Sequence, residues 1–497
     1  MGDKSKLERW EAGAVAALLV LALVVRVVGL NAGLWYDEVS TLIHFIRLPW
    51  GQLATDFSSL NNHMFYSLQA KACVELFGES AWALRLPALI MGMVSLVLIW
   101  WLARKEAGRA AALVTLLLLA LSYHHVWFTQ NARGYTGLLT WTAAATILMI
   151  SGLRQPVWRT WTLYGLCLAA GMYTHLSAGF FFVAHGVVFA MLSTIAFLRP
   201  RGRVARGYAG ARSIQSYYGF GLGGVLTLLL HLPLVDQIRS SVGKVSSGSS
   251  TSAMAEWNNP MRTLQEFAGS LDALGPFAPY ALAIGLGVLI LGAVLVWRRS
   301  PLLAAIYLTQ ILLSLLLLIA LSFRIWPRYF FVDIGFVFLC AAVGSLAVIA
   351  AVERALRQTA LRSVTRAALP VALVMMTVAS SVLLGRNYAY PKQDFQGAIH
   401  LVDRLRGPQD VSTSVGLAIE PIHGYFAPAW PVTRTPADLN RLLATGHPVW
   451  LITSFESHTR TTQADIMREV DARFEKMAVL KGTLGGGNVQ VYRSRPK

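Results

Sequence analysis

The stretch LWYDEVST, from Leu34 to Thr41, sets two carboxylates side by side, Asp37 and Glu38, directly after a long apolar run. Further along come Asn61, Asn62 and His63 in LNNHMFYSL, Arg133 and Tyr135 in NARGY, His175 in YTHLS, and Arg324, Arg328 and Tyr329 in RIWPRYF. A carboxylate can take the proton of an attacking hydroxyl, and guanidiniums can hold and neutralise a phosphate leaving group. Each residue alone has a plainer reading. An Arg at a helix end usually snorkels, a His near an interface is a hydrogen-bonded spacer, and an acidic pair in a loop is solvated. The chemistry requires that the chain bring these groups to one surface.

What must position them is a set of membrane spans. Only 14% of the 497 residues are charged and 55% are hydrophobic, with a mean hydropathy of +0.53, whereas soluble chains carry about 25% charged residues. Eleven apolar runs are expected to cross the bilayer, over 12–30, 82–102, 110–124, 135–153, 160–176, 179–198, 217–235, 279–297, 301–322, 329–351 and 367–385. The first is read as a retained anchor, since it is long, carries Arg26 near its end and lacks a small-x-small cleavage site. Net charge is +18, but the basic residues form no single domain with interleaved aromatics, so nucleic acid is not an expected partner. They fall in alternate loops: Lys4, Lys6 and Arg9; Arg104, Lys105 and Arg109; Arg154 and Arg159; Arg199 to Arg212; Arg298 and Arg299; Arg354 to Arg366. This positive-inside pattern puts the N-terminus in the cytoplasm and, with an odd number of spans, the C-terminus outside. Cys73, Cys167 and Cys340 offer neither a disulfide framework nor a zinc-ligand spacing.

On that topology every candidate falls on the outer face, in the loop 31–81, around 125–134, at the outer end of the fifth span, and in the short connection 323–328. Within the first loop, Phe65, Leu68, Ala72 and Leu76 have the spacing of a helix lying along the interface. The outer stretch 236–278 contains SSVGKVSSGSSTSAMAEW and reads as a mobile loop. From Arg386 the composition turns soluble, and 386–497 is expected to form a small extracytoplasmic α/β domain. DFQGAIHLVDRLRG and TQADIMREVDARFEKM read as helices, and HPVWLITSF and NVQVYRSR as strands. No Gly-rich phosphate loop opens a helix, and nothing signals ATP coupling. Nucleotide sugars are not available outside the cytoplasm, so an activated sugar at this face must arrive on a lipid. A polyprenyl-phosphate sugar fits, with its tail in the bilayer and its phosphate at the interface.

Taken in order and at their spacings, LWYDEVST, LNNHMFYSL, FGESAWALRLPAL, SYHHVWFTQNARGY, YTHLS, PRYF and YPKQDFQGAIHLV resemble the integral-membrane glycosyltransferases of the GT-C superfamily. The likeness is to the bacterial branch similar to the dolichyl-phosphate-mannose-protein mannosyltransferases and the lipid A aminoarabinose transferase, and it covers nearly the whole chain. It implies an α-helical polytopic membrane protein of GT-C fold, with 1–385 as the transmembrane domain. It also implies an inverting hexosyl- or pentosyltransferase of the bacterial inner (cell) membrane. The donor would be a polyprenyl-phosphate sugar and the acceptor a protein, glycolipid or polysaccharide hydroxyl. The resemblance makes Asp37 the catalytic base with Glu38 as its catalytic neighbour, and Arg133 and Arg328 the phosphate ligands. Tyr329, His63, Asn62, His175 and Tyr135 become substrate contacts. Some superfamily members hold a divalent cation by the first-loop acid, for which Asp37, Glu38 and His63 are the candidate ligands here. Two departures stand out: Met64 follows His63 where relatives often have Pro, and Asn131 replaces an acid, which removes one potential metal ligand. Three other readings compete. A polyprenyl-linked glycan ligase would use a diphosphate donor. A lipid or sugar transporter would show midplane charges and internal repeats. A scaffold would bind a partner through its outer domain.

Overall fold

The computed structural model describes residues 2–246, 275–320, 325–356 and 362–496. Most of the Ser- and Gly-rich stretch read as a mobile loop, and Arg324, lie outside the described residues. Among the described residues nine helices are long and apolar enough to cross a membrane, from Glu8–Val27 to Pro370–Ala389. The chain is an integral membrane protein. Two further expected spans are also helices, in altered form. The fifth, Trp158–Thr174, has 17 residues, the lower end of what crosses a hydrocarbon core. The third is broken: Arg109–Ala120 and Tyr123–Thr129 meet at 59°.

A break inside a bilayer frees carbonyls that need donors. Arg26, 0% exposed, supplies them, donating to the carbonyls of Ala120 at 2.9 Å and Leu119 at 3.0 Å, with His125 Nδ1 2.9 Å away. The arginine near the end of the first span thus caps the bend in the third. Elsewhere glycines let helices approach closely. A Cβ on Gly165 would come within 2.9 Å of the Gly219 carbonyl, and one on Gly219 within 2.7 Å of the Trp161 ring. Gly219-x-x-x-Gly223 is the small-residue spacing that seats Ile214–His231 against Trp158–Thr174. At the arginine-rich helix ends, Glu11 pairs with Arg104 at 2.5 Å and Arg109 at 2.7 Å, and Glu106 with Arg154 at 2.8 Å.

At the other end of the bundle lies the C-terminal unit, a four-stranded sheet with β1 (Val411–Val415), β2 (Val449–Ser454), β3 (Phe474–Leu480) and β4 (Val489–Ser494) in the order β1-β2-β4-β3. β1 and β2 are parallel, and the other pairs antiparallel. The two-residue period of β2 divides its side chains between two cores. Trp450 and Ile452 pack with the helix Phe395–Leu405, while Val449 and Leu451 pack with Ala464–Arg473. The expected helix TQADIMREVDARFEKM stops at Arg473, and its last residues open β3, whose pairing with β4 overrides their helical pattern. β1 and β3 were not read from the sequence. The first-loop helix forms over Met64–Phe77. It buries Met64, Ser67 and Ala70 against the protein and turns Leu76, 76% exposed, and Phe77 outward, as a helix lying along an interface would.

Candidate active site

Asp37 stands in the first turn of a short helix, Tyr36–Thr41. Successive helical residues diverge by about 100°, so neighbours in sequence look in different directions. Asp37, 24% exposed, lines a cavity. Glu38, 0% exposed, points the other way, into an ion pair with Arg85. Arg85 Nε donates to Glu38 Oε1 at 2.7 Å and Nη2 to Oε2 at 2.5 Å, while Nη1 donates to the Leu30 and Ala32 carbonyls at 2.8 Å each. The Ala132 N–H also donates to Glu38 Oε1, at 2.7 Å. Burial would raise the Glu38 carboxyl, and Arg85 outweighs it, holding the group below the usual carboxylate range. The expectation that Glu38 shares the chemistry with Asp37 therefore meets a different geometry. Glu38 does not line the cavity, and it ties the Asp37 segment to the residue before Arg133.

The cavity, about 530 Å³, opens at the helix ends beside the C-terminal unit, and Asp37, Asn62, His63, Arg133, Tyr135, His175, Arg328 and Tyr329 all line it. Arg133 Nη1 lies 3.7 Å from Asp37 Oδ2 and donates to the Asn61 carbonyl at 3.1 Å and to the Asn61 side-chain oxygen. Among the described residues its buried Nε has no partner. Asn61 in turn donates to the Asp37 carbonyl at 3.3 Å. Arg328, exposed on the 3₁₀ segment Pro327–Asp333, lies 5.2 Å over the Trp326 ring and 5.6 Å over Tyr329. The Asn62 amide is occupied within the loop, donating to the Asp56 carbonyl at 2.7 Å and accepting from Ser67 Oγ at 2.7 Å.

His63 accepts the Gly134 N–H at Nδ1, 2.8 Å, so the neutral ring carries its proton on Nε2, which is buried and has no partner among the described residues. Burial foremost, then Arg133, His175 and Arg328, hold His63 well below the usual histidine range. The ring stands edge-on to His175 at 4.4 Å and to Tyr135 at 5.1 Å. His175 Nδ1 accepts the Ser177 N–H at 3.1 Å. The sequence reading missed His231, which also lines the cavity. Its Nδ1 lies 2.8 Å from the Thr227 carbonyl, which leaves Nε2 as an acceptor. Its place at the outer end of the span 217–235 was the available signal. Met172, Leu176, Phe180 and Leu318 form an apolar wall, and nothing distinguishes them in sequence from other span residues.

Asp37, Glu38 and His63 do not make a cation site. Glu38 is bound to Arg85 and His63 Nδ1 to Gly134. Where an acid would assist, Asn131 uses its side-chain oxygen to accept from Trp35 Nε1 at 3.1 Å. Among the described residues no three His, Cys, Asp or Glu side chains converge as metal ligands.

A sequence profile of the dolichyl-phosphate-mannose-protein mannosyltransferases matches residues 64–204, the segment that carries Arg133 and His175. ArnT from Cupriavidus metallidurans, solved bound to undecaprenyl phosphate, superposes over 98% of this chain and 99% of its own, with a TM-score of 0.55 at 14% identity. The chain has the GT-C fold. The apo state of the same ArnT gives the same coverage and score. The Archaeoglobus fulgidus oligosaccharyltransferase, tethered to an acceptor peptide containing the NVT sequon, shares the GT-C fold at a TM-score of 0.53 and 10% identity. That match covers 96% of this chain and 74% of the oligosaccharyltransferase. None of the curated proteins matches this sequence. The GT-C resemblance read from the motifs is borne out, and with it the polytopic helical bundle carrying a small C-terminal sheet.

Proposed function

We propose that this GT-C protein is an inverting glycosyltransferase that moves a monosaccharide from a polyprenyl-phosphate donor to an acceptor hydroxyl. The observation that carries the reading is one cavity at the helix ends that holds the Asp37 carboxylate and the Arg133 and Arg328 guanidiniums. Its volume lies within the roughly 300–1,000 Å³ of small-molecule sites, and its apolar wall suits the first isoprene units of a donor tail. The guanidiniums hold the donor phosphate. Asp37 takes the proton of the acceptor hydroxyl as its oxygen attacks the anomeric carbon from the face opposite the phosphate. The bond from that carbon to the phosphate oxygen breaks with its electron pair leaving on phosphate, and configuration inverts. Undecaprenyl phosphate bound to ArnT supports the class of donor lipid.

In this reading the reaction occurs at the outer face of the bacterial inner membrane, with the N-terminus in the cytoplasm and 386–497 outside. The arginine-rich helix ends opposite the cavity support that orientation. The sugar is a hexose or pentose, and the acceptor a protein, glycolipid or polysaccharide. The test is turnover by purified protein in lipid, wild type beside Asp37→Asn, on a panel of polyprenyl-phosphate monosaccharides with acceptor extract supplied. Release of polyprenyl phosphate from one donor, lost in the variant, is expected. Release that persists in Asp37→Asn removes the base assignment, and no release from any donor removes the reaction.

A further inference from the structure

The residue before Asp37 is gripped by the C-terminal unit. The Tyr36 N–H donates to Gln393 Oε1 at 3.0 Å, and Gln393 Nε2 donates to the Gly487 carbonyl at 3.2 Å, in the turn before β4. The Tyr36 ring meets Phe455 edge-on at 6.1 Å, where Phe455 takes a left-handed backbone with φ of 49°. Its hydroxyl faces Glu420, whose carboxylate lies 2.9 Å from His44 Nε2, just beyond the short helix. Next to Gln393, Lys392 donates to the Gln130 carbonyl at 2.5 Å and lies 5.3 Å over Trp127. The sequence motif YPKQDF therefore touches two segments that lead into the cavity, Gln393 on the Asp37 segment and Lys392 on the segment before Arg133.

The helix Tyr36–Thr41 runs directly into the π-helical turn Leu42–Ile46, and a helical stretch this short does not hold itself in place. Glu38 anchors one face of it on Arg85, and its N-terminal end is left to other contacts. The first N–H groups of a helix lack partners inside it, and here the one on Tyr36 is met by a side chain 357 positions away. Gln393 is 2% exposed, so water offers no equal substitute. We propose that the C-terminal unit sets the position of the catalytic carboxylate, with Gln393 as a positioning residue that acts on Asp37 through the Tyr36 N–H. The inference rests on Asp37 being the base. A carboxylate displaced by about 1 Å loses on the order of a hundredfold in rate, so a contact that never touches substrate still governs turnover.

The test compares full-length wild type, Gln393→Ala, the near-isosteric Gln393→Met and Gln393→Glu in lipid nanodiscs, by hydrogen exchange and by turnover. In the Ala and Met variants exchange over residues 35–41 is expected to accelerate at least tenfold, while exchange over 109–120 stays as in wild type. Turnover number falls about tenfold or more, and KM for the donor and Kd for polyprenyl phosphate move less than twofold, because Arg133 and Arg328 are intact. Gln393→Glu keeps an oxygen toward the Tyr36 N–H and recovers part of the turnover. Unchanged exchange over 35–41 overturns the proposal, and so does faster exchange with unaltered turnover. Acceleration throughout the chain, with normal turnover per folded molecule, also overturns it, because Gln393 would then be a general stabiliser. Wild-type turnover in Asp37→Asn overturns the base assignment instead. That failure is recognisable because the exchange measurement does not depend on activity.

Discussion

Arg133 and Arg328 approach the same cavity with different support. Arg133 is nearly buried, bonded to Asn61 and 3.7 Å from Asp37, whereas Arg328 is exposed and rests on two aromatic rings. A charge-assisted bond is worth about 1.5–3 kcal/mol. Arg133→Ala and Arg328→Ala are each expected to weaken polyprenyl-phosphate binding about ten- to a hundredfold, read by titration of the lipid into detergent-solubilised protein. Unchanged affinity in both would discard the phosphate assignment. His63 gives a pH dependence. Its folded pKa is held well below the ordinary value, so below about pH 6.5 the unfolded chain binds the extra proton. The contribution to stability is therefore fully present above that pH and is lost as pH falls. Thermal unfolding midpoints measured from pH 8 to pH 5 should decline more steeply for wild type than for His63→Gln.

Helix contacts decide where those side chains stand. Glycine at the face of one helix allows the backbone of another to approach, and a side chain there overpacks at about 1–3 kcal/mol. Gly219 meets Trp161, whereas a Cβ on Gly221 would touch nothing within 4 Å among the described residues. Gly219→Leu is expected to lower the midpoint of thermal unfolding by several degrees, and Gly221→Leu to leave it unchanged or raised, since leucine favours helix over glycine. A fall of equal size in both would show that the contact between these two helices does not carry stability. Element boundaries also explain two of the departures from the sequence reading. TQADIMREVDARFEKM has a continuous helical pattern, yet Phe474 begins a strand because β4 offers an unpaired edge. Span 110–124 has continuous hydrophobicity, yet it bends because Arg26 from another span satisfies the carbonyls freed at the break.

At the scale of the whole molecule, the cavity and the C-terminal unit share one end of the bundle, and the arginine-rich loops lie at the other. Under the proposed orientation, Ser457→Cys, at an exposed position in the C-terminal unit, should react with a membrane-impermeant maleimide in intact cells. A cysteine at Arg354, on an exposed helix end among the basic residues, should react only after the membrane is opened. The opposite pattern would invert the topology and place the chemistry on the cytoplasmic side, where nucleotide sugars compete as donors.

The sequence by itself determined the class of molecule and named many of the polar residues that line the cavity. Hydropathy and arginine placement identify the spans and the helix ends that share a face, because burial in lipid and loop charge are properties of composition. Asp37, Arg133, Arg328, His63 and His175 were legible for that reason, each lying near a span end on the same side. Only the tertiary structure separated Glu38 from Asp37, since adjacency in sequence becomes divergence on a helix and Arg85 sits 47 positions away. Only the tertiary structure joined Gln393 to Tyr36 and brought His231 to the cavity. Those contacts arise from chain segments that meet in space, and local sequence pattern records what a segment buries rather than what it buries it against.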